Sequence, residues 1–287
     1  MKVVRTPEQV REAVGAARAE GLSIGLVPTM GAFHRGHLEL MAAAGRACDT
    51  VVVSLFVNPT QFGAGEDLDG YPRAFERDRA LAEEAGADVL YAPEPGTVYP
   101  PGFCTWVEVH GLTDVLCGDP AHRGAEHFRG VTTVVTKLLN TVAPDRAFFG
   151  QKDAQQALVL RRMVRDLDIP TAVDLLPTVR EPDGLAMSSR NAYLSDADRD
   201  QALALSRGLR AAEQRAHNGE TDTAQLVRAA ETELAPLEVE YLEARDAEDL
   251  SPASTLNGRP VLLAVAARVG PARLIDNVII PPNGGVQ

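Results

Sequence analysis

With 287 residues, 45% of them hydrophobic and 24% charged, the chain has the composition of an ordinary globular protein and the length to bury one large core or two smaller ones. Its net charge is −12, and residues 1–180 (18 basic, 23 acidic) and 181–287 (10 basic, 17 acidic) are each acidic, which argues against nucleic acid as the main partner. The three cysteines lack a CxxC spacing, the charged opening segment 2–20 lacks an apolar signal core, and no apolar run approaches the ~20 residues of a membrane span, so a reducing cytoplasmic setting is expected, with no membrane partner, disulfide framework or zinc ribbon.

Thr6-Pro7-Glu8-Gln9 combines an N-cap, a proline at the first helical position and a capping-box glutamine, and predicts a helix over 7–20 that stops at Gly21. A short apolar strand, 23–28, breaks at Pro28. A turn rich in glycine follows, with Gly31, Gly36 and the imidazoles of His34 and His37, before Leu38, Leu40, Met41, Ala44 and Cys48 take up a helical period. In a parallel α/β sheet such a junction directs helix N–H groups and the positive end of the helix dipole at one spot outside the strand ends, where phosphates settle.

The β-branched run 50–57 reads as a strand buried on both faces, and ends in the loop Asn58-Pro59-Thr60-Gln61-Phe62. An acidic, glycine-containing loop (63–70), a helix over 73–85 and a strand over 87–91 follow. Residues 92–128 are irregular apart from an expected strand at 105–109, and loops of this length are usually functional. Helix 131–142, strand 146–149, helix 153–167 and strand 172–176 complete an alternation that predicts an α/β fold with a Rossmann-like, doubly wound parallel sheet of about five strands over 1–180. From 181 to 287 the order is two helices, 196–217 and 222–234, then extended runs 237–244, 261–269 and 273–280, with Asn257-Gly258 placed to close a hairpin; a smaller C-terminal α+β domain closing over the cleft is expected.

Arginine is the default cation here, so Lys152, one of three lysines with Lys2 and Lys137, stands out. It lies in Gly150-Gln151-Lys152-Asp153 between a strand and a helix, a recurrent setting for a phosphate-binding lysine. Met187-Ser188-Ser189-Arg190 offers two hydroxyls and a guanidinium to phosphate oxygens. Two histidines without further ligands at suitable spacing do not make a zinc site. Asp67, Asp69 and Asp78 are candidate carboxylates for magnesium, which favours one or two carboxylates together with nucleotide oxygens.

Taken in order, Pro28-Thr29-Met30-Gly31, His34-Arg35-Gly36-His37, Asn58 to Phe62, His127-Phe128-Arg129-Gly130, Phe149 to Asp153 and Met187 to Arg190 resemble the pantothenate synthetase (pantoate–β-alanine ligase) family over nearly the whole chain. The His-x-Gly-His element by itself indicates only the wider nucleotidyl-transfer superfamily. Departures from the family pattern are Gln151 in place of a glutamate, Ala154 in place of an aromatic, and one extra residue before His127.

The resemblance implies a ligase in which pantoate attacks the α-phosphate of ATP, giving an acyl adenylate and pyrophosphate, and β-alanine then displaces AMP. It implies that ATP lies over Met30, Gly31, Ala32, Phe33, His34, Arg35, Gly36 and His37, over Gly150, Gln151, Lys152 and Asp153, near Val179, and over Met187, Ser188, Ser189 and Arg190. It gives pantoate to Gln61 and Gln156, β-alanine in part to Gln61, and the proton-donor role to His37, and it implies Mg²⁺ and a homodimer. The chemistry agrees: in-line attack at phosphorus needs cations and hydrogen-bond donors, and His34, His37, Lys152 and Arg190 are such groups. The competing readings are an adenylate-forming ligase or nucleotidylyltransferase with another acid or amine, and a non-catalytic relative; a tRNA synthetase is disfavoured by the lack of a basic anticodon-reading module.

Overall fold

A computed structural model of the chain describes residues 1–63, 65–256 and 258–282. Its elements run β1 (Lys2–Val4), α1 (Pro7–Ala19), β2 (Ile24–Thr29), α2 (Arg35–Ala47), β3 (Thr50–Leu55), α3 (Phe75–Glu84), β4 (Val89–Tyr91), the single turn α4 (Pro95–Val98), α5 (Ala125–Val142), β5 (Arg146–Gly150), α6 (Ala154–Asp166) and β6 (Ala172–Leu176). Then come α7 (Asp196–His217), α8 (Thr223–Leu234), β7 (Glu238–Asp246), β8 (Val261–Val269) and β9 (Ala272–Ile280).

The first six strands form one parallel sheet in the order β1-β4-β3-β2-β5-β6. Alternate residues explain how a continuous apolar run becomes a strand here. Ile24, Leu26, Val52, Val89, Ala147 and Phe149 pack into the core under α1, α5 and α6. Their neighbours Val27, Val51, Val53, Leu90 and Phe148 pack on the opposite face with Met41 and Ala44 of α2 and Ala82 of α3. The chain proceeds outward from β2 to β3 and β4, then crosses to the other side of β2 at β5. The switch point of the doubly wound sheet therefore lies between the carboxyl ends of β2 and β5.

The second sheet is antiparallel, in the order β7-β8-β9, with a bulge between Val239 and Tyr241. Both of its faces are covered. Val261, Leu263, Val265, Ala267 and Val269 of β8 pack on α7 and α8. Leu262, Ala264 and Ala266 face the other way and join Leu112, Leu116, Phe128 and Val159 of the large sheet's own unit. The two units thus share one apolar seam.

Three expectations need correcting. The large sheet has six strands rather than about five, because Lys2–Val4 pairs in parallel with Val89, Leu90 and Tyr91; three residues are too few to show a period of two. Residues 105–109 are not a strand: the Val107 amide donates to the Thr133 hydroxyl at 3.0 Å and its carbonyl accepts from the Thr132 hydroxyl at 2.6 Å, so helix side chains rather than a neighbouring strand hold this extended segment. The helix expected over 131–142 begins at Ala125, behind a glycine N-cap, Gly124, at φ 74°. Of the expected Asn257-Gly258 turn, Asn257 lies outside the described residues.

Candidate functional site

The loop after β2 and the turn after β5 meet at the switch point and border a cavity of ≈ 250 Å³. The first of these is shaped by a residue on another helix. Asp78, 1% exposed on α3, accepts the backbone N–H of Ala32 and of Phe33, both at 2.8 Å. This holds Ala32 in the left-handed region at φ 52°, with Gly31 before it at φ 89°. A Cβ on Gly31 would lie 3.0 Å from an Asp78 oxygen, so the close approach needs glycine as much as the φ angle does.

His34 is the N-cap of α2. Its Nδ1 accepts from the Gly36 amide at 3.2 Å, while Nδ1 of His37 accepts from the His34 amide at 3.3 Å, a capping box made of two imidazoles whose ring centroids are 4.1 Å apart. Because each Nδ1 is an acceptor, each proton resides on Nε2, which is the donor left for a ligand. Burial lowers the His34 pKa to about 4, assisted by the Lys152 charge, and burial, His34 and Lys152 together lower that of His37 to about 3. Both rings are neutral at pH 7 and belong to the donors of this site rather than to its cations.

Lys152 sits in the 3₁₀ turn Gln151–Asp153 at the end of β5, half-buried, and its amine has no ion-pair partner among the described residues. The opposite wall is the bridge between Arg180 and Ala186, closed by the Met187 amide donating to the Val179 carbonyl at 2.9 Å. It leads into the 3₁₀ turn Ser189–Tyr193, where the Ser188 hydroxyl caps the Arg190 amide at 3.2 Å. Arg190 itself is held: Nε and Nη2 donate to the two oxygens of Asp67 at 3.0 and 2.8 Å. The same loop is fastened by Glu66 to Arg123, by Tyr71 to the Ser189 hydroxyl at 3.2 Å, and by the Tyr193 hydroxyl to the Gly70 carbonyl at 3.1 Å.

Gln61, 9% exposed, has its carboxamide oxygen fixed by Asn58 Nδ2 at 3.1 Å, and its own amide nitrogen lies 2.9 Å from the sulfur of Met30. Asn58 is 1% exposed and also donates to the Gly130 carbonyl at 3.1 Å. His127 donates from Nδ1 to the Gln61 carbonyl at 2.6 Å and receives Arg123 at Nε2, 3.3 Å away; burial and the Arg123 charge lower its pKa to about 3. On α6, Gln155 turns inward to hold Leu112, Val115 and Cys117 of the preceding loop, leaving Gln156 to line the cavity.

The cavity wall thus brings together Met30, His34, Gly36, His37, Gln61, Gly150, Lys152, Asp153, Gln156, Val179, Met187, Ser188, Ser189 and Arg190. Five expected residues do not line it. Gly31 and Ala32 shape the loop from behind, Phe33 is 1% exposed in the core, Arg35 points to Glu39 at 3.7 Å on the helix surface, and Gln151 faces the small domain. Two residues shape the site in a way that was not expected of them, Asn58 by fixing Gln61 and Asp78 by holding the Ala32 and Phe33 amides. Asn58 stands in a motif visible in the chain, whereas Asp78 lies 46 residues from the loop it holds and gives no local signal. Of the three carboxylates considered for magnesium, Asp78 is engaged by two backbone amides and Asp67 by Arg190. Among the described residues no group of three or more His, Cys, Asp or Glu could hold a metal.

A doubly wound sheet with a His-x-Gly-His helix start, a lysine without an ion-pair partner among the described residues and a Ser-Ser-Arg turn around its switch point defines a nucleotide-binding protein of the nucleotidyl-transfer class. A family model described as pantoate-beta-alanine ligase matches residues 2–279. A pantothenate synthetase of Moorella thermoacetica is 53% identical over 286 residues, covering 99% of this chain and all of the relative. The crystal structure of a Thermus thermophilus pantothenate synthetase superposes with a TM-score of 0.91 at 47% identity, over 98% of this chain and 100% of that one. A Francisella tularensis pantoate-beta-alanine ligase, solved as a complex with beta-gamma ATP and beta-alanine, superposes with a TM-score of 0.79 at 30% identity, over 97% of each chain. The chain belongs to the pantoate–β-alanine ligase family.

Proposed function

We propose that this enzyme condenses pantoate with β-alanine in an ATP-dependent reaction, forming pantothenate, AMP and pyrophosphate in the coenzyme A pathway. The observation that carries the reading is the convergence, in one cavity, of two glutamine amides with two neutral histidines and a lysine that has no ion-pair partner among the described residues. Carboxamides both donate and accept, which suits a substrate rich in hydroxyl and carboxylate oxygens, and they orient the carboxylate without neutralising it. Gln61, fixed by Asn58, and Gln156 would hold pantoate.

In the first half-reaction a pantoate carboxylate oxygen attacks the α-phosphorus and the bond to pyrophosphate breaks. Lys152 supplies positive charge to the phosphate oxygens, and Nε2–H of His34 and of His37 donate hydrogen bonds to them. With pKa values of about 4 and 3 the imidazoles act as hydrogen-bond donors rather than as imidazolium acids. Ser188, Ser189 and Arg190 face the rest of the triphosphate once Asp67 lets go. In the second half-reaction the β-alanine amine adds to the acyl carbon, the acyl C–O bond to the phosphate of AMP breaks, AMP departs with that oxygen, and the amine gives up a proton to solvent.

Magnesium would arrive with the triphosphate and neutralise its charge; Asp153, whose carboxylate lines the cavity without an ion-pair partner among the described residues, is the side chain placed to reach it. We assign the enzyme to the cytoplasm and to a homodimer on the resemblance, and divide it at residue 180 into a nucleotide- and pantoate-binding domain and a smaller domain that closes the cleft.

The test is pantoate-dependent exchange of labelled pyrophosphate into ATP, followed by AMP release with a panel of amines. Exchange that requires pantoate and a second step that prefers β-alanine are expected. Exchange with no preference for pantoate would assign the chain to a related adenylate-forming ligase.

A further inference from the structure

Beside the cavity lies a second, larger cleft of ≈ 910 Å³ between the two domains, and Asn277 of β9 stands on its wall. The Asn277 side chain is 4% exposed. Its amide nitrogen donates to the Gln151 carbonyl at 3.0 Å and to the Lys152 carbonyl at 2.8 Å, across 126 and 125 residues of sequence. Both N–H bonds of one carboxamide are therefore engaged by the backbone of the turn that carries Lys152. The opposite orientation would set the amide oxygen against two carbonyl oxygens, so the flip is fixed by the contacts themselves. The cost is visible in the same side chain: the Asn277 oxygen is buried without a hydrogen-bond partner among the described residues.

The neighbouring residue anchors the strand. Asp276, 3% exposed, accepts the Asn277 amide at 2.8 Å and binds Arg180 through both carboxylate oxygens at 2.6 and 3.0 Å. Arg180 follows Val179 in the opposite wall of the site. One dipeptide of the small domain thus touches the lysine turn with one side chain and the Val179 wall with the other.

We infer that Asn277 is a positioning residue for Lys152, through which the small domain sets where the catalytic amine stands in the adenylation step. A 3₁₀ turn holds itself with weaker hydrogen-bond geometry than an α-helix, and here Asn277 holds two of its carbonyls from outside. Fixing them fixes the direction in which the Lys152 stem leaves the backbone, and a misplacement of about 1 Å is enough to cost about 100-fold in rate. Asn277 does not touch substrate in this arrangement.

The inference rests on the proposed adenylation, and pantoate-dependent pyrophosphate exchange reads both. Asn277→Ala should lower kcat for exchange by roughly 10- to 100-fold with unchanged KM for ATP and pantoate. Asn277→Asp, equal in volume but without the donors, should fall at least as far, and Asn277→Ser, which retains one donor, should fall between. In a Lys152→Ala background the Asn277 substitutions should add nothing further, because the group they position is gone. A merely structural role would instead lower the melting temperature and multiply the Lys152→Ala loss in full; that outcome, or wild-type kcat in both Asn277→Ala and Asn277→Asp, overturns the inference. Absence of pantoate-dependent exchange in the unsubstituted enzyme overturns the proposed function instead. If Asn277→Ala does not fold, the isosteric Asn277→Asp and the Lys152→Ala cycle built on it decide.

Discussion

Asp67 holds Arg190 by both oxygens, at 3.0 and 2.8 Å, from a loop on the opposite side of the cleft. In the proposed reaction the guanidinium offered to the triphosphate is therefore already occupied by a carboxylate of the same charge sign as the ligand. ATP must displace this contact to use Arg190, and the cost of doing so subtracts from its affinity. Asp67→Asn should bind ATP about two- to fivefold more tightly, the scale of one partly exposed ion pair. Titration calorimetry with ATP measures this directly, and equal or weaker binding by the variant would show that the pair is not a competitor.

In the proposed adenylation Lys152 and His37 act on the developing phosphate charge, one through its positive charge and the other through Nε2–H. His37→Ala and Lys152→Ala should each lower pantoate-dependent exchange by about 100-fold or more, the usual scale for losing one such group. Near-wild-type exchange in either variant removes the role given to that residue. His37→Gln, which retains a neutral donor, should recover part of the loss.

Gly130 on α5 is where that helix touches the turn bearing Gln61. A Cβ there would lie 2.3 Å from the Thr60 carbonyl oxygen and 2.8 Å from the Gln61 amide, both backbone atoms that cannot swing aside. Gly130→Ala should therefore push Gln61 out of place, raising KM for pantoate and lowering stability by about 1–3 kcal/mol. Denaturant unfolding together with pantoate titration checks it; an unchanged KM for pantoate would mean that Gln61 does not hold that substrate.

Acid should weaken the fold through three histidines. Their pKa values in the folded chain are about 4 for His34 and about 3 for His37 and His127, against 6.5 in its absence. In that window the unfolded chain binds more protons, so stability is full above pH 6.5 and declines as pH falls toward the folded values, by up to about 1.4 kcal/mol per pH unit for each group. Unfolding free energies at pH 7 and 5 give the slope, and His127→Gln should reduce it. A slope equal to wild type would show that His127 is not held neutral.

Chelation gives a fifth outcome. If magnesium travels with the nucleotide, EDTA should abolish exchange and added Mg²⁺ restore it, while dialysed protein without ATP retains no stoichiometric metal by elemental analysis. Metal retained by the free protein would require a site built from the chain alone.

The parts of the site that could be read in the chain are those where local sequence and chemistry coincide. His34 and His37 begin a helix directly after a strand, and Lys152 does the same in a chain that otherwise uses arginine. Asp78 and Asn277 gave no such signal, because their partners are backbone atoms 46 and 125 residues away and nothing in a carboxylate or amide announces which main chain it will meet. The segment 105–109 misled for a related reason: its alternating pattern fits an extended chain, but pairing depends on what lies alongside, and that is a pair of threonine hydroxyls. The Asp67–Arg190 pair was equally hidden, since each residue taken alone reads as a ligand contact.

The neighbouring of β2 and β5 has a consequence for how the enzyme comes into being. The Ile24 amide is held by Asp145 across 121 residues, and only that pairing brings the histidine loop beside the lysine turn. A ribosome that has released β2, β3 and β4 has made a good part of a sheet and none of a catalyst. Closing so long a loop into a parallel pair is slow, so activity should emerge in refolding later than secondary structure does.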